Sequence, residues 1–341
     1  MNMHPARRRS VSALCTGLLF SAISLTPAAS LASAAHAEGA TESPEFVADL
    51  VQQAAAHADI ATDASAPLAG GHVDVSVPLT SDGQIVLETA EGETLAVPLP
   101  DDLSTSSGIG TSTGATVFIG ADGHPDLTVE PVAHGVRMST VLDATTASRS
   151  FDYVLPEDTE AQQLADGRLE LTKPVSHVSP GAAQDVSVVV GYIEPAWAMD
   201  AAGRRVETSY EVGDGILTQH VRTDDRTTYP VVADPQWTLT SGYQFRVRWN
   251  RAETATIANG GWAATGVTAV CAAAGTAAGG PAGAAAAGAA CLALTGSAVY
   301  TAGVARNSRP SRCLELYMTQ VPGIPPTWVP WFSTYTGGSC R

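Results

Sequence analysis

Of the five cysteines in this 341-residue chain, the four that remain once an N-terminal export signal holding Cys15 is removed carry its most definite chemistry: Cys271, Cys291, Cys313 and Cys340. Their number is even, they crowd into the last quarter, and the chain begins like an exported protein. Disulfides are therefore expected, rather than metal binding or thiol catalysis. Four cysteines permit three pairings. Cys271 and Cys291 lie about equally far from a Gly279-Gly280-Pro281 break, roughly two and a half helical turns each way. Two helices reversing at that break would bring them together, so the expected pairs are Cys271–Cys291 and Cys313–Cys340. Zinc is not expected, because there is no Cys-x-x-Cys and no histidine after His220.

The other residues with catalytic chemistry do not assemble into a pattern. His57, His72, His124, His134, His177 and His220 stand in no His-Glu-x-x-His arrangement, and no Gly-x-Ser-x-Gly elbow occurs. The glycine-rich run Ser104–Gly114 lacks the Gly-Lys-Ser/Thr that would hold phosphate. Asp122 and Asp126 offer only part of a calcium loop. The many carboxylates leave one hydrolytic route open, two acids converging across a cleft of the β-rich segment. No catalytic residue, cofactor or metal ligand is assigned. The chain reads as non-enzymatic.

Arg7, Arg8 and Arg9, the apolar run 11–25 and the small-x-small site Ala35-His36-Ala37 follow the plan of a secretory signal, with cleavage expected after Ala37. Cys15 lies within the apolar run without the small residue before it that lipidation requires. No later stretch has the bulky apolar content of a spanning helix. A secreted, extracellular or cell-surface protein is expected.

The net charge of −16 is unevenly spread. Residues 38–234 hold 32 acids and 8 bases, whereas 235–341 hold 2 acids, 7 bases and five of the six tryptophans. This shift places a domain boundary at Asp234-Pro235. Nucleic acid is not an expected partner, since most of the chain would repel phosphate.

These features set the expected architecture. A signal peptide (1–37) precedes an N-terminal helix and linker (38–67), in which Ser43 caps, Pro44 opens and Glu45 complements the helix dipole. Residues 68–234 alternate short period-two runs with turns such as Asp82-Gly83, Glu91-Gly92, Asp122-Gly123, Asp166-Gly167, Ala202-Gly203 and Asp214-Gly215. They read as an antiparallel sandwich or meander. Residues 235–341 read as a small disulfide-bonded α+β module. It opens with a strand carrying an aromatic face (Tyr243, Phe245, Val247, Trp249) and a basic face. Next come an Asn250/Glu253 capping box and a helical hairpin over about 250–304. A strand over 312–321 follows, then an irregular proline-rich cover containing Trp328, Trp331 and Phe332. From Thr254 to Ala305 no residue is charged.

The segment Tyr229-Pro-Val-Val-Ala-Asp-Pro235, with Trp249-Asn-Arg-Ala-Glu-Thr254, the Cys-flanked Ala/Gly hairpin, Arg312-Cys-Leu and the terminal Gly-Gly-Ser-Cys, resembles exported actinobacterial proteins with no assigned activity. The likeness covers about 205–341 and implies compartment and architecture only. The leading functional expectation is a binding or envelope-associated protein. Arg246, Arg248, Arg251, Trp328, Trp331 and Phe332 are its contact candidates, and the cell envelope or an anionic membrane surface is its possible partner. Two alternatives are a membrane-active, bacteriocin-like C-terminal module masked by an acidic pro-domain, and an envelope hydrolase using carboxylates.

Overall fold

Period-two alternation dominates the described chain, and the computed structural model turns it into antiparallel β structure carrying a helical cap near the C-terminus. The structure describes residues 43–58, 73–89, 93–100, 107–174, 185–261, 267–321 and 327–341. The expected signal peptide, the linker 61–67, the Glu91-Gly92 turn and Pro322, Pro325 and Pro326 lie outside them.

In chain order the elements are α1 (Pro44–His57), β1 (Val73–Ser76), β2 (Gln84–Thr89), β3 (Thr94–Pro98), β4 (Ile109–Gly110), β5 (Thr116–Phe118), β6 (Asp126–Val132), β7 (Gly135–Leu142), β8 (Ser150–Val154) and β9 (Glu160–Gln163). They continue with β10 (Leu169–Pro174), β11 (Asp185–Ile193), β12 (Ala198–Asp200), β13 (Glu207–Gly213), β14 (Ile216–Arg222), β15 (Val231–Ala233) and β16 (Gln236–Arg248). The last are α2 (Arg251–Ala258), α3 (Val267–Ala293), α4 (Thr295–Asn307), β17 (Cys313–Val321) and β18 (Thr327–Tyr335).

Ser43 caps α1 by accepting from Phe46 N at 3.3 Å, and Pro44 occupies the first turn, where its missing N–H costs nothing. Asp214 and Gly215 both adopt positive φ, 51° and 77°, which gives the β13–β14 hairpin the tight turn its strand twist favours. The expected flexible run Ser104–Gly114 is described over 107–114, where it contains β4 and donates Ser112 N to the Glu45 carboxylate at 3.0 Å.

The largest sheet has the order β4-β5-β6-β7-β16-β11-β10-β9, with β15 attached to β7 and β17-β18 to β16. Its middle strand, β16, pairs with β7 at Gln236–Thr238, with β11 along most of its length, and with β17 at Gln244–Arg248. The composition boundary at 234/235 thus falls at the entrance to a shared central strand. The described residues belong to one compact unit.

Two hydrophobic clusters sit along β16. The larger packs Phe118, Leu127, Met138, Tyr153 and Trp237 among the main sheet and the sheets β1-β2-β3 and β13-β14-β8. The other packs Phe245, Val247, Trp249, Leu314, Leu316, Met318 and Trp328 under Ile257, Ala287, Ala298 and Ala302 of the helices.

The helices differ in number from the expected pair. Helix α2 starts at the expected capping box: Asn250 Oδ1 accepts from Glu253 N, and Glu253 Oε2 accepts from Asn250 N, both at 2.9 Å. It stops after two turns because Gly260 N donates to the Ile257 carbonyl and Gly261 N to the Thr256 carbonyl, a Schellman closure. Helix α3 then folds back on itself. A straight helix would hold Cys271 and Cys291 about 30 Å apart, yet their Cα atoms are 6.5 Å apart. The two limbs touch at Gly275 and Gly283, where a Cβ on either would strike the other's carbonyl oxygen. Helix α4 leaves the second limb at 60°.

The proline-rich tail is not an irregular cover. Residues 327–335 form β18, which pairs with β17 along nine residues. Pro330 fits because β18 is an edge strand, where a missing donor need not break a ladder.

Candidate functional site

Both expected disulfides are present. Cys271–Cys291 ties the two limbs of α3, and Cys313–Cys340 joins the start of β17 to the C-terminal residues with a Cα–Cα distance of 5.6 Å. The second bears on the surface, because an arginine stands next to each of its cysteines.

The six contact candidates separate. Alternation along β18 turns Trp328 and Phe332 toward the helix-covered core, where Trp328 packs on Phe245, and sends Trp331 to the opposite face. There Trp331 stacks on Tyr317 at a centroid distance of 4.2 Å and stays 45% exposed.

Arg246 and Arg248 do not belong to a contact surface. Arg246 is 2% exposed and ion-paired with Glu170 of β10, itself buried, and donates to Thr172 Oγ1 at 3.3 Å. Arg248 is buried against Glu315 at 3.2 Å and lies over the Tyr335 ring at 4.5 Å. Burial holds the Glu315 carboxyl above its usual range, against the downward pull of Arg248. The expected basic face is real as a pattern, but neighbouring strands cover it, and charges placed there have to be paired.

Arg251 is exposed, as expected of a contact residue, and it has company that spacing did not reveal. Its backbone N donates to the Arg341 carbonyl at 3.3 Å. The Cys313–Cys340 bridge brings together the backbones that carry Arg312, just before one cysteine, and Arg341, just after the other. Arg312 N donates to the Ala305 carbonyl at 3.1 Å, which brings the end of α4 to the start of β17. Arg306 reaches across to Asn259 Oδ1 at 2.8 Å, joining the ends of α2 and α4. Arg251, Arg306, Arg309, Arg312 and Arg341 are all exposed. Residues 235–341 contain two acids. Glu315 is consumed by Arg248, and Glu253 is half-buried in the α2 cap. Of the charges that 235–341 itself contributes, the fully exposed ones are therefore positive.

One cluster in the β-rich segment has catalytic residue types. Ser150 Oγ lies 2.8 Å from His220 Nδ1, and His220 Nε2 lies 3.4 Å from Glu211 Oε2, beside an open groove also lined by Arg149 and Arg222. Register accounts for it: Ser150 and His220 are direct cross-strand partners, and Glu211 stands diagonally on β13. Glu211 is 79% exposed on its side chain, so water screens its hold on the ring. The network is that of a polar sheet surface.

Asp234, within the Tyr-Pro-Val-Val-Ala-Asp-Pro segment, is a fastening point. It is fully buried; its Oδ1 accepts from Trp197 N at 3.1 Å and Tyr210 OH at 3.4 Å. Burial holds its carboxyl well above the usual range despite those bonds. Asp126 likewise serves its own turn, accepting from Gly120 N at 2.8 Å. Among the described residues no three His, Cys, Asp or Glu side chains converge as metal ligands. Comparison of the chain with protein-family profiles, with curated proteins and with solved structures found no match.

Proposed function

We propose that this is an exported, non-enzymatic protein that binds an anionic surface of the cell envelope through its arginine-rich C-terminal end. The observation that carries the reading is the sorting of charge: seven arginines lie in 235–341, two are neutralised inside the sheet, and the five exposed ones stand at the start of α2, at the end of α4, in the α4–β17 connection and at the residue bonded to Arg251. Such clustering of one sign attracts a surface of the other. The two disulfides are compatible with an oxidising, extracellular location. The predominantly acidic remainder of the chain keeps the protein soluble and orients it, since an anionic surface repels that side.

The magnitude is instructive. Each arginine near an anionic surface contributes about 1 kcal/mol. Five then supply about 5 kcal/mol, a sub-millimolar affinity on their own. Charge alone gives weak, salt-sensitive attachment.

The test is co-sedimentation of the full chain with isolated cell envelopes. Replacing the five exposed arginines by glutamine should reduce the bound fraction at least about tenfold, and raising NaCl from about 50 to about 500 mM should do the same. Equal binding by the wild type and the substituted protein would refute the proposal.

A further inference from the structure

We infer that the anionic surface is a lipid bilayer, and that the outward face of α3 and α4 enters its headgroup region. The inference rests on the reading above and adds an apolar contribution to it. From Ala282 to Ala305 the chain carries no charge. Helix α4 turns Ala298, Ala302 and Ala305 inward. Its opposite side presents Gly296, Tyr300 and Val304, with Tyr300 76% and Val304 51% exposed. On the second limb of α3, Ala285, Ala289 and Leu292 are exposed as well. A water-facing helix side ordinarily carries charged and polar residues. Here two consecutive helices present one that is uncharged and, Ser297 and Asn307 aside, apolar, which marks an interaction surface.

Charge selects the occupant. Arg306, in the last turn of α4, is exposed, and Arg309 and Arg312 follow directly after the helix. A second copy docking through this same face would cover the apolar side chains but bring the arginines no anion, since the face and the residues that flank it in sequence carry no exposed acid. A hydrophilic polyanion would satisfy them and leave Leu292, Tyr300 and Val304 in water. An anionic bilayer satisfies both, taking phosphate at the arginines and apolar side chains at the acyl boundary. A tyrosine fits that depth, with its ring in the apolar layer and its hydroxyl among the headgroups. The helices would lie on the bilayer. No single described helix is long and apolar enough to cross, and the bent pair Ala282–Ala293 and Thr295–Asn307 turns by 60° while its inner side packs on the sheet.

The experiment uses the full chain, phosphatidylglycerol-containing vesicles, pure phosphatidylcholine vesicles, and beads coated with poly(glycerol phosphate). The neutral triple change Leu292→Gln, Tyr300→Gln and Val304→Gln leaves net charge unaltered and touches only exposed positions. It should keep the wild-type melting curve. It should lose anionic-vesicle binding by about tenfold or more while retaining bead binding within about twofold. The wild type should ignore phosphatidylcholine. If the wild type binds beads but not vesicles, or the triple change leaves vesicle binding intact, bilayer entry is wrong while arginine-driven attachment survives. If the wild type binds neither, both fall.

Discussion

The two cores along β16 are built on opposite principles. The larger one fills its space with Phe118, Leu127, Met138, Tyr153 and Trp237, large side chains whose burial alone is strongly stabilising. The smaller one is roofed by alanine and glycine, which bury little area apiece and, for glycine, weaken a helix by about 1 kcal/mol relative to alanine. Its roof is held by close backbone approach at Gly275 and Gly283 and by the Cys271–Cys291 bridge. The contrast teaches that small residues let limbs approach closely, and covalent closure replaces the side-chain burial they lack. It also explains why the helices' outer face is free to be apolar. Their inward anchoring comes from the sheet and the bridge, with no ion pair needed on top.

Whether the two cores melt as one is the strongest way to break this comparison. Trp237→Ala and Trp249→Ala each empty a fully buried site, one per core, and each should cost about 3–5 kcal/mol. Because β16 belongs to both, each change should lower a single calorimetric transition. Two separable transitions would show that the composition boundary is also a cooperative one.

The buried arginine comes next. Arg246→Met leaves Glu170 buried without its cation and should destabilise by about 3–5 kcal/mol. The pair Arg246→Met with Glu170→Leu should recover most of that loss in a denaturant titration. Failure to recover would mean Arg246 acts mainly through Thr172 and packing.

The bridge itself is worth somewhat less. Cys271→Ser with Cys291→Ser should cost about 3 kcal/mol, the usual consequence of opening a loop of this length. Thermal melting under oxidising and reducing conditions checks it, since the wild type in reductant should match the variant only if Cys313–Cys340 contributes little more.

The smallest effect concerns Asp234. Its folded-state pKa is raised by burial, so its favourable contribution is complete below its unfolded pKa near about 4 and is lost as pH climbs through the folded value. Asp234→Asn should remove that loss. The variant's melting temperature should gain on the wild type's as pH rises from about 4 to about 8. A constant offset across that window would show that the carboxyl is ionised in the fold.

The sequence disclosed those features whose cause is local. The α1 cap, the Asn250/Glu253 box, the Asp214-Gly215 turn and the two disulfides each depend on residues close in the chain or on a count of cysteines. The β6–β7 hairpin was harder. Gly135–Leu142 is buried on both faces, so Arg137, Ser139 and Thr140 break the expected alternation without marking an exposed side. The candidate site was legible only in part. Arg246 and Arg248 alternate correctly with their aromatic neighbours, but period two does not say whether a sheet face meets water or another side chain. The surface cluster eluded spacing because Arg251, Arg312 and Arg341 are brought together by the Cys313–Cys340 bridge and the β17 return.

The central claim is that arginines of one segment serve two separate ends, and envelope affinity measured alongside melting temperature on two variants tests it directly. Neutralising Arg251, Arg306, Arg309, Arg312 and Arg341 should reduce attachment at least about tenfold and leave the melting temperature nearly unchanged. Replacing the Arg246/Glu170 pair by Met and Leu should leave attachment intact. Attachment that survives the first change, or disappears only with the second, would contradict the account.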